Sequence, residues 1–413
     1  MLIYIDPSLM EYFKSVSPSE SDLEALENII SSHKKGYHYV SSNRKTLDFL
    51  SKLEGISSNV RKQLDILFED YSTLSSVNKN VSTKIVVLPP NGEFQRYNHI
   101  INSEVLGGYQ YMSTIFEVPL RDFLVSEVLD KTRFITENLN DSYFYEFIGN
   151  NFAKNKYLPS KISIDHVPGG GLNTPGILED KIVSKHIVFS LVDSDKKEPT
   201  ATLGVTGKEV LKVFEKFQEH AIIGFDILPV HEIENLLSST IYENFSKRDC
   251  EVSKTQLKIL ETHDRDFCFL PYIDMKEGLH TGNFSTYFEG VFDISNLIPQ
   301  TDSEKRGYKN EFVGSKEAFL NYLSNPKGKL YLIKPVGPSP FGNLKIEKLK
   351  ENINEDIARA NGKASREYIL KLTNKIKVFD DLPSYLLDFQ RDYLEILGMQ
   401  IKEWGLANPK SVI

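Results

Sequence analysis

Apolar residues in the first third of the chain form two short runs with helical spacing between them. Residues 2–5 are an apolar run that ends at Asp6-Pro7, and residues 84–88 (KIVVL) are a second run that ends at two prolines. Both runs are typical of buried strands. Apolar residues at three- and four-residue steps predict helices between them, at about 23–30, 43–54 and 58–71. The pattern predicts a small α/β domain over residues 1–125.

The next segment, residues 126–250, repeats strand and helix in alternation. Apolar runs predict strands at 133–136, 162–167, 186–192 and 221–228. Amphipathic spacing predicts helices at 141–152, 175–183 and 207–220. Strands that alternate with helices of about 10–15 residues indicate βαβ units. We therefore expect a parallel sheet flanked by helices here.

The last segment, residues 251–413, is less regular and predicts an α+β domain. Hairpin-like pieces occur near 266–273 and 284–293, and residues 329–333 are another strand candidate. From Leu382 to Trp404, apolar residues recur at three- and four-residue steps, which predicts an amphipathic helix that packs in a core or a protein interface. The whole chain is thus expected to be an α/β protein of three domains.

Composition and charge narrow the class of protein. The 413 residues are too many for one ordinary core, and the net charge of −8 argues against a coat that binds DNA non-specifically, without excluding a nuclease. The two cysteines allow at most one disulfide, which favours a reducing cytosol. There is no basic leader, and no apolar run reaches the ~20 residues that cross a bilayer. We expect a cytoplasmic protein without membrane contact.

Three pairs of acidic residues follow predicted strands of the second segment. They are, in chain order, Glu137 with Asp141, Asp193 with Asp195, and Glu232 with Glu234. The carboxyl ends of parallel strands lie at one edge of a sheet, where sites assemble. Carboxylates gathered there repel one another, and a divalent cation relieves the repulsion. Mg²⁺ suits such a site because it prefers oxygen ligands and retains waters and substrate phosphates.

The first two pairs resemble the TOPRIM domain, which type II topoisomerases, bacterial primases and the OLD-family nucleases of anti-phage defence share. The resemblance consists of a strand ending in Glu137 with Asp141 four residues later, followed by a strand ending in Asp-x-Asp. Residues 228–237 (LPVHEIENLL) and the glycine turn at 169–171 are similar to the OLD-like continuation. The family's first motif has glycine where this chain has Asn138. The resemblance covers less than a third of the chain.

The resemblance implies that all six carboxylates bind Mg²⁺ or Mn²⁺, with Asp193 and Asp195 holding the cation and Glu232 or Glu234 completing a second metal position. Glu137 would also act as an acid or base, and Asp141 would orient the site or bind the second ion. From proximity alone, Lys196 or Lys197 would meet the scissile phosphate. Catalysis is accordingly assigned to the metal ligands Glu137, Asp193 and Asp195 together with Lys196.

Structural interpretations of the same residues stay open. An Asp-x-Asp after a strand is commonly a turn or a helix cap. Glu137 and Asp141 could flank a helix N-terminus, where carboxylates favour the dipole. His231, beside Glu232, is a candidate for catalysis or for a capping role. Asp6 could begin a PIN-like nuclease, but strand-Asp-Pro is also a common turn.

The preferred hypothesis is a Mg²⁺-dependent nuclease that cuts DNA or RNA as a regulated defence effector. Residues 204–209 (GVTGKE) lack P-loop spacing and have Glu209 at the Ser/Thr position. A separate ATPase or sensor partner is therefore expected. The alternatives are a TOPRIM-like binding or sensor module without catalysis and a primase- or topoisomerase-like enzyme. The sequence leaves open the preference for DNA or RNA, the trigger and whether the chain forms a homo-oligomer.

Overall fold

A computed structural model of the chain divides into two compact units. The described residues are 1–102, 110–152, 160–245, 251–264, 266, 269–280, 331–333, 335–336, 345–360 and 364–409. Unit 1 contains 1–192, 208–226 and 394–413, and unit 2 contains 193–207 and 227–393. The predicted hairpin-like piece at 284–293 and the two cysteines lie outside the described residues. The domain boundaries near 125 and 250 stay a prediction.

The N-terminal part of unit 1 is a five-stranded mixed sheet. Its strands are β1 (Leu2–Ile5), β2 (Tyr39–Ser42), β3 (Lys84–Leu88), β4 (Gln95–Asn102) and β5 (Gln110–Pro119). Their order is β2-β1-β3-β5-β4, and only β4 runs antiparallel, against β5. The apolar run of β1 is buried in the middle of this sheet. The sequence predicted β1 and β3 but not the β4–β5 hairpin.

Five helices accompany this sheet, and side-chain caps define where several of them begin. They are α1 (Pro7–Ser15), α2 (Glu20–Lys34), α3 (Arg44–Ser51), α4 (Ser58–Glu69) and α5 (Tyr71–Asn80). Asp6 caps α1, since its Oδ1 accepts the Ser8 N–H at 2.8 Å. Ser19 and Asp22 form a reciprocal capping box at the start of α2. Asp6 therefore has a structural role as a helix cap.

The second sheet of unit 1 is parallel and carries the predicted strand and helix alternation. Its strands are β6 (Thr132–Thr136), β8 (Ile164–Pro168), β9 (Val188–Val192) and β10 (Ile223–Ile227), after a two-residue strand β7 (Lys161–Ile162). The order is β10-β9-β6-β8, and the connecting helices are α6 (Leu139–Phe152), α7 (Thr174–Val183) and α8 (Val205–Phe217). The α/β class is confirmed. The more specific TOPRIM-like arrangement stays a prediction.

Aromatic rings fill the core of unit 1 between these two sheets. Phe189 of β9 stacks on Trp404 with ring centroids 5.2 Å apart and on Phe134 with centroids 5.7 Å apart. Phe116 of β5 meets the Trp404 ring edge-on at 5.8 Å. Gly224 in β10 lies under the same indole, and a Cβ there would be 2.1 Å from Trp404 Cζ2. The last turn of the C-terminal helix is therefore core material, as the apolar stripe predicted.

Unit 2 is mainly helical in its described part. Its elements are α9 (Ser239–Phe245), α10 (Glu251–His263), α11 (Ile346–Ala360), α12 (Arg366–Asp380), the start of α13 (Asp388–Trp404) and an antiparallel pair, β11 (Leu279–His280) with β12 (Tyr331–Ile333). The short strand β13 (Leu406–Ala407) belongs to unit 1, where it pairs with β7. Among the described helices, none is long and apolar enough to span a bilayer.

The predicted hairpin-like piece at 266–273 is wrong for its described residues. Leu270–Tyr272 form a single 3₁₀ turn. The Asp264 carboxylate accepts the N–H groups of Phe269 and Leu270 at 3.0 and 2.6 Å, and Pro271 has no N–H to give to a strand partner. This turn leads into the loop that carries Asp274 and Lys276.

Candidate metal centre

The second and third acidic pairs lie on neighbouring segments of unit 2. Asp193 is the residue that follows β9 in the chain, and the segment 230–235 follows β10. The Asp195 N–H donates to the His231 carbonyl at 3.0 Å, and the Ser194 hydroxyl donates to the carbonyl of Val230. These backbone contacts hold the Asp-x-Asp segment along the His-Glu-x-Glu segment.

A loop at residues 270–277 completes this part of unit 2, and Asn235 fixes its position. The His231 N–H donates to the Pro271 carbonyl at 2.7 Å. The Asn235 amide, fully buried, donates to the carbonyls of Leu270 and Ile273, both at 2.8 Å. An amide that satisfies two carbonyls in this way makes the loop costly to displace. The loop therefore presents its side chains from a defined backbone.

His231, Glu232 and Asp274 form the candidate metal centre. Each offers a ligand atom, and these atoms all lie within 4.8 Å of one another. Among the described residues, this is the one group of three histidine, cysteine or acidic side chains that are close enough to share an ion. His231 and Glu232 are each only 5% exposed, and Asp274 is half-buried. One imidazole and two carboxylates are a donor set that Mg²⁺, Mn²⁺ or Zn²⁺ accepts.

The imidazole of His231 is held in one tautomer. Its Nδ1 lies 2.9 Å from the Lys196 carbonyl, which can only accept a hydrogen bond, so Nδ1 carries a hydrogen. In the neutral ring Nε2 then has the lone pair, and Nε2 faces Asp274 Oδ2 at 3.6 Å. Two acceptors that face each other need a proton or a cation between them. Ligand atoms about 2.1 Å from one ion are roughly 3.0 Å apart at 90° and roughly 3.4 Å apart at the tetrahedral angle, so the 3.6 Å spacing needs only a small contraction to hold an ion.

The protonation of this pair follows from its surroundings. Burial alone would lower the pKa of His231, but the hydrogen bonds to Asp274 and to the Lys196 carbonyl, with the charge of Glu232, outweigh burial and raise it. Burial likewise opposes ionisation of Asp274, while His231 and the N–H of Glu277 lower its pKa below the usual value. Without a cation, a proton on Nε2 satisfies both groups.

Glu232 has its two oxygens engaged on different sides. Oε1 accepts the N–H groups of Met275 and Lys276, at 2.9 and 3.3 Å. Oε2 is 2.8 Å from the Lys276 ammonium, which is also 3.3 Å from Glu234 Oε2. Burial, then the charge of Glu234, raises the pKa of Glu232 to about 7, against the opposing effect of Lys276. Burial would lower the pKa of Lys276, but the carboxylates of Glu234, Glu232 and Asp193 raise it.

The structure thus brings together some of the residues predicted from sequence. Glu232, Glu234 and the charge of Asp193 converge on Lys276. Asp195 is exposed at a positive φ of 52°, and its carboxylate lies against Gly204. Its role as a ligand stays a prediction. So does the phosphate contact of the Lys196 side chain, whose backbone carbonyl positions His231 instead.

Glu137 and Asp141 belong to unit 1. Between them lies Asn138, the residue that differs from the glycine of the TOPRIM motif. Glu137 follows β6, and its carbonyl accepts the Gly170 N–H at 2.8 Å. Asn138 caps α6: its Oδ1 accepts the N–H groups of Asn140 and Asp141 at 2.9 and 3.1 Å, and its Nδ2 donates to Asp141 Oδ2 at 2.5 Å. Asparagine therefore has a structural task where the motif has glycine. Cation binding by Glu137 and Asp141 stays a prediction.

Asp274 and Lys276 were not found from the sequence. Residues 274–278 (DMKEG) directly follow the apolar run at 267–273, which was interpreted as part of a hairpin-like piece and not as a strand that leads into a site. Asp274 Oδ1 accepts the N–H groups of Lys276 and Glu277 in a tight turn. Such a segment signals only a turn. His231 was singled out, without an assigned role. The chain matches no protein family model, no curated protein and no solved structure.

Proposed function

We propose that this chain is a nuclease that hydrolyses phosphodiester bonds of nucleic acid with a divalent cation, Mg²⁺ or Mn²⁺, held by His231, Glu232 and Asp274. One observation carries the proposal: Nε2 of a tautomer-fixed His231 faces Asp274 Oδ2 at 3.6 Å beside the buried Glu232. In metal sites, a backbone carbonyl or carboxylate commonly accepts the other ring N–H of a ligating histidine and so fixes its orientation. The TOPRIM resemblance supplies the choice of a phosphodiester substrate.

The side chains of the centre have separable tasks in such a reaction. A bound cation would lower the pKa of a water ligand and offset the charge of the substrate phosphate. His231 and Asp274 orient the ion, and the Lys196 carbonyl keeps the imidazole from turning. Glu232 would bind the ion as a carboxylate, because a cation offsets the burial and the charge of Glu234 that raise the pKa of this group to about 7 in its absence. Lys276 adds a fixed positive charge at the edge of the centre.

The wider role is proposed on the resemblance alone. It comprises action on DNA or RNA, membership of an anti-phage defence system, control by a separate ATPase or sensor protein, and further ligands from Glu137, Asp141, Asp193, Asp195 and Glu234. The second candidate, a binding or sensor module without catalysis, is favoured by one observation. Lys276 and two backbone N–H groups already compensate Glu232 without any cation.

Calorimetric titration with Mn²⁺, alongside cleavage of plasmid DNA and of RNA, tests the proposal. Wild type should bind Mn²⁺, and Asp274→Asn and His231→Gln should each weaken binding by at least about tenfold. Asp48→Asn is the matched control, because the half-exposed side chain of Asp48 on α3 pairs with the exposed Lys52. Equal Mn²⁺ affinity in wild type and Asp274→Asn would place any cation elsewhere. Cation binding without cleavage of either substrate, also in lysate from virus-infected cells, would favour the sensor module.

A further inference from the structure

Lys276 contacts Glu232, one of the three residues of the candidate metal centre. Two-ion phosphodiester sites hold their ions about 3.5–4 Å apart, commonly across a shared carboxylate. Glu232 belongs to the ligand group with His231 and Asp274, and its Oε2 also contacts the Lys276 ammonium at 2.8 Å. The ammonium reaches onward to Glu234 Oε2 at 3.3 Å. Glu232 thus bridges the candidate ion position and an amino group.

We propose that the Lys276 ammonium replaces a second divalent cation, so that this centre holds one ion, at His231, Glu232 and Asp274. The inference rests on the proposed function and specifies its stoichiometry. It departs from the expectation that Glu232 or Glu234 completes a second metal position, because both carboxylates already have a built-in counter-ion.

Burial makes a counter-ion necessary at this position. Glu232 and Glu234 are 5% and 2% exposed, and two carboxylates so close and so buried cannot both stay ionised without positive charge nearby. Lys276 supplies that charge with its ammonium, while its side chain remains 40% exposed. A lysine with a solvent-exposed stem can be exchanged without opening a cavity. The compensation is therefore local and can be removed by one substitution.

The backbone of the centre does not depend on the lysine side chain. Glu232 Oε1 is held by the N–H groups of Met275 and Lys276, which any residue at 276 except proline would supply. Asn235 fixes the same loop through its amide. Lys276→Met keeps these contacts and the length of the side chain, and it removes only the charge. Net charge at the centre then becomes more negative by one, which strengthens its attraction for a divalent ion.

Mn²⁺ stoichiometry and affinity, measured by calorimetry and by electron paramagnetic resonance, test this inference. Wild type and Lys276→Arg, which keeps the charge, should bind one ion. Lys276→Met should bind a second ion or bind the first at least about tenfold more tightly. Adding Glu234→Gln to Lys276→Met restores the net charge and should return the wild-type values. Lys212→Met is the matched control, since Lys212 is an exposed helical lysine paired with Glu209.

Three outcomes would overturn the inference. Two ions bound by wild type, or unchanged stoichiometry and affinity in Lys276→Met, would show that the lysine does not stand in for a cation, and either result would leave the cation site itself intact. Failure of both wild type and Lys276→Met to bind Mn²⁺ would instead remove the proposed function together with the inference. Thermal unfolding of each variant confirms that the proteins compared are folded.

Discussion

Gly224 gives the sharpest test of the core of unit 1. An alanine Cβ at this position would lie 2.1, 2.6 and 2.9 Å from Cζ2, Cε2 and Cη2 of Trp404. The indole cannot move aside easily, since it is 3% exposed, stacks on Phe189 at 5.2 Å and meets Phe116 at 5.8 Å. The clash must therefore be relieved by a shift of more than 1 Å in the ring or the strand, in the midst of a close-packed core.

The expected cost of Gly224→Ala follows from that geometry. Overpacking of a core by one methyl group costs roughly 1–3 kcal/mol, and a rigid ring locked between two others places this site at the upper end, about 3 kcal/mol. For a unit of this size that corresponds to a Tm lower by roughly 6–12 °C. Thermal unfolding followed by near-ultraviolet circular dichroism is the assay, because Trp404 is the only tryptophan and reports its own environment.

A second glycine provides the matched control. Gly176 lies exposed in the first turn of α7, and a Cβ there would have no heavy atom within 4 Å. Gly176→Ala should leave Tm unchanged or raise it slightly, because alanine has the higher helix propensity. If Gly224→Ala were as stable as Gly176→Ala with an unaltered tryptophan signal, the packing of Trp404 against β10 would be incorrect.

Two further predictions concern the candidate metal centre and the residue that supports its loop, and a third concerns the core of unit 1. In chelator, Asp274→Asn should lower the pKa of His231, because it removes the hydrogen bond and the charge of Asp274 that raise it; NMR titration measures this, with His231→Gln for assignment. A histidine whose pKa is raised in the folded state stabilises the fold at acidic pH, and this stabilisation is lost as pH rises through the folded pKa. The Tm difference between wild type and Asp274→Asn should therefore shrink toward alkaline pH. A difference that grows with pH would contradict the ion pair of His231 and Asp274. Asn235→Ala should cost about 2–3 kcal/mol of unfolding free energy by leaving two buried carbonyls unpaired, and Mn²⁺ binding should weaken with it. Asn244→Ala should change neither, because the half-buried Asn244 makes a solvent-exposed hydrogen bond to the Thr240 carbonyl within α9. Arg96→Ala should lower the free energy of unfolding by about 2 kcal/mol. The guanidinium lies over the rings of Phe116 and Phe214 at 5.3 and 4.9 Å and donates to the Ile223 carbonyl at 3.0 Å. A Tm equal to that of the surface variant Arg359→Ala would argue against these contacts.

Strands with several apolar residues in a row were predictable from sequence, and an almost wholly polar one was not. The runs at β1, β3, β9 and β10 are mainly apolar, and β6 (TRFIT) was found from its buried Phe-Ile pair. The strand β4 reads QRYNHIIN and lies at the sheet edge against β5, so its sequence has no buried-strand signal. Pro7 was interpreted as the end of a strand, but it is also the first residue of α1, a position that proline favours.

The candidate centre divides in the same way between local and long-range information. Glu232 and Glu234 follow an apolar strand, so the sequence alone could predict that they lie near the edge of the sheet where sites form. Asp274 and Lys276 come to them from a loop about forty residues later, through contacts that Asn235 and the Pro271 carbonyl make. Nothing in the local sequence of that loop specifies those partners. Contacts between side chains that depend on tertiary packing cannot be predicted from a single sequence.

Crystals grown or soaked with Mn²⁺ would show whether His231, Glu232 and Asp274 are the ligands of a bound cation. Anomalous scattering identifies the ion without assumptions about its ligands. We expect one strong peak about 2.1–2.3 Å from Nε2 of His231, with oxygens of Asp274 and Glu232 also in its coordination shell. An anomalous peak bound only by other side chains, with His231 still hydrogen-bonded to Asp274 through a proton, would contradict it.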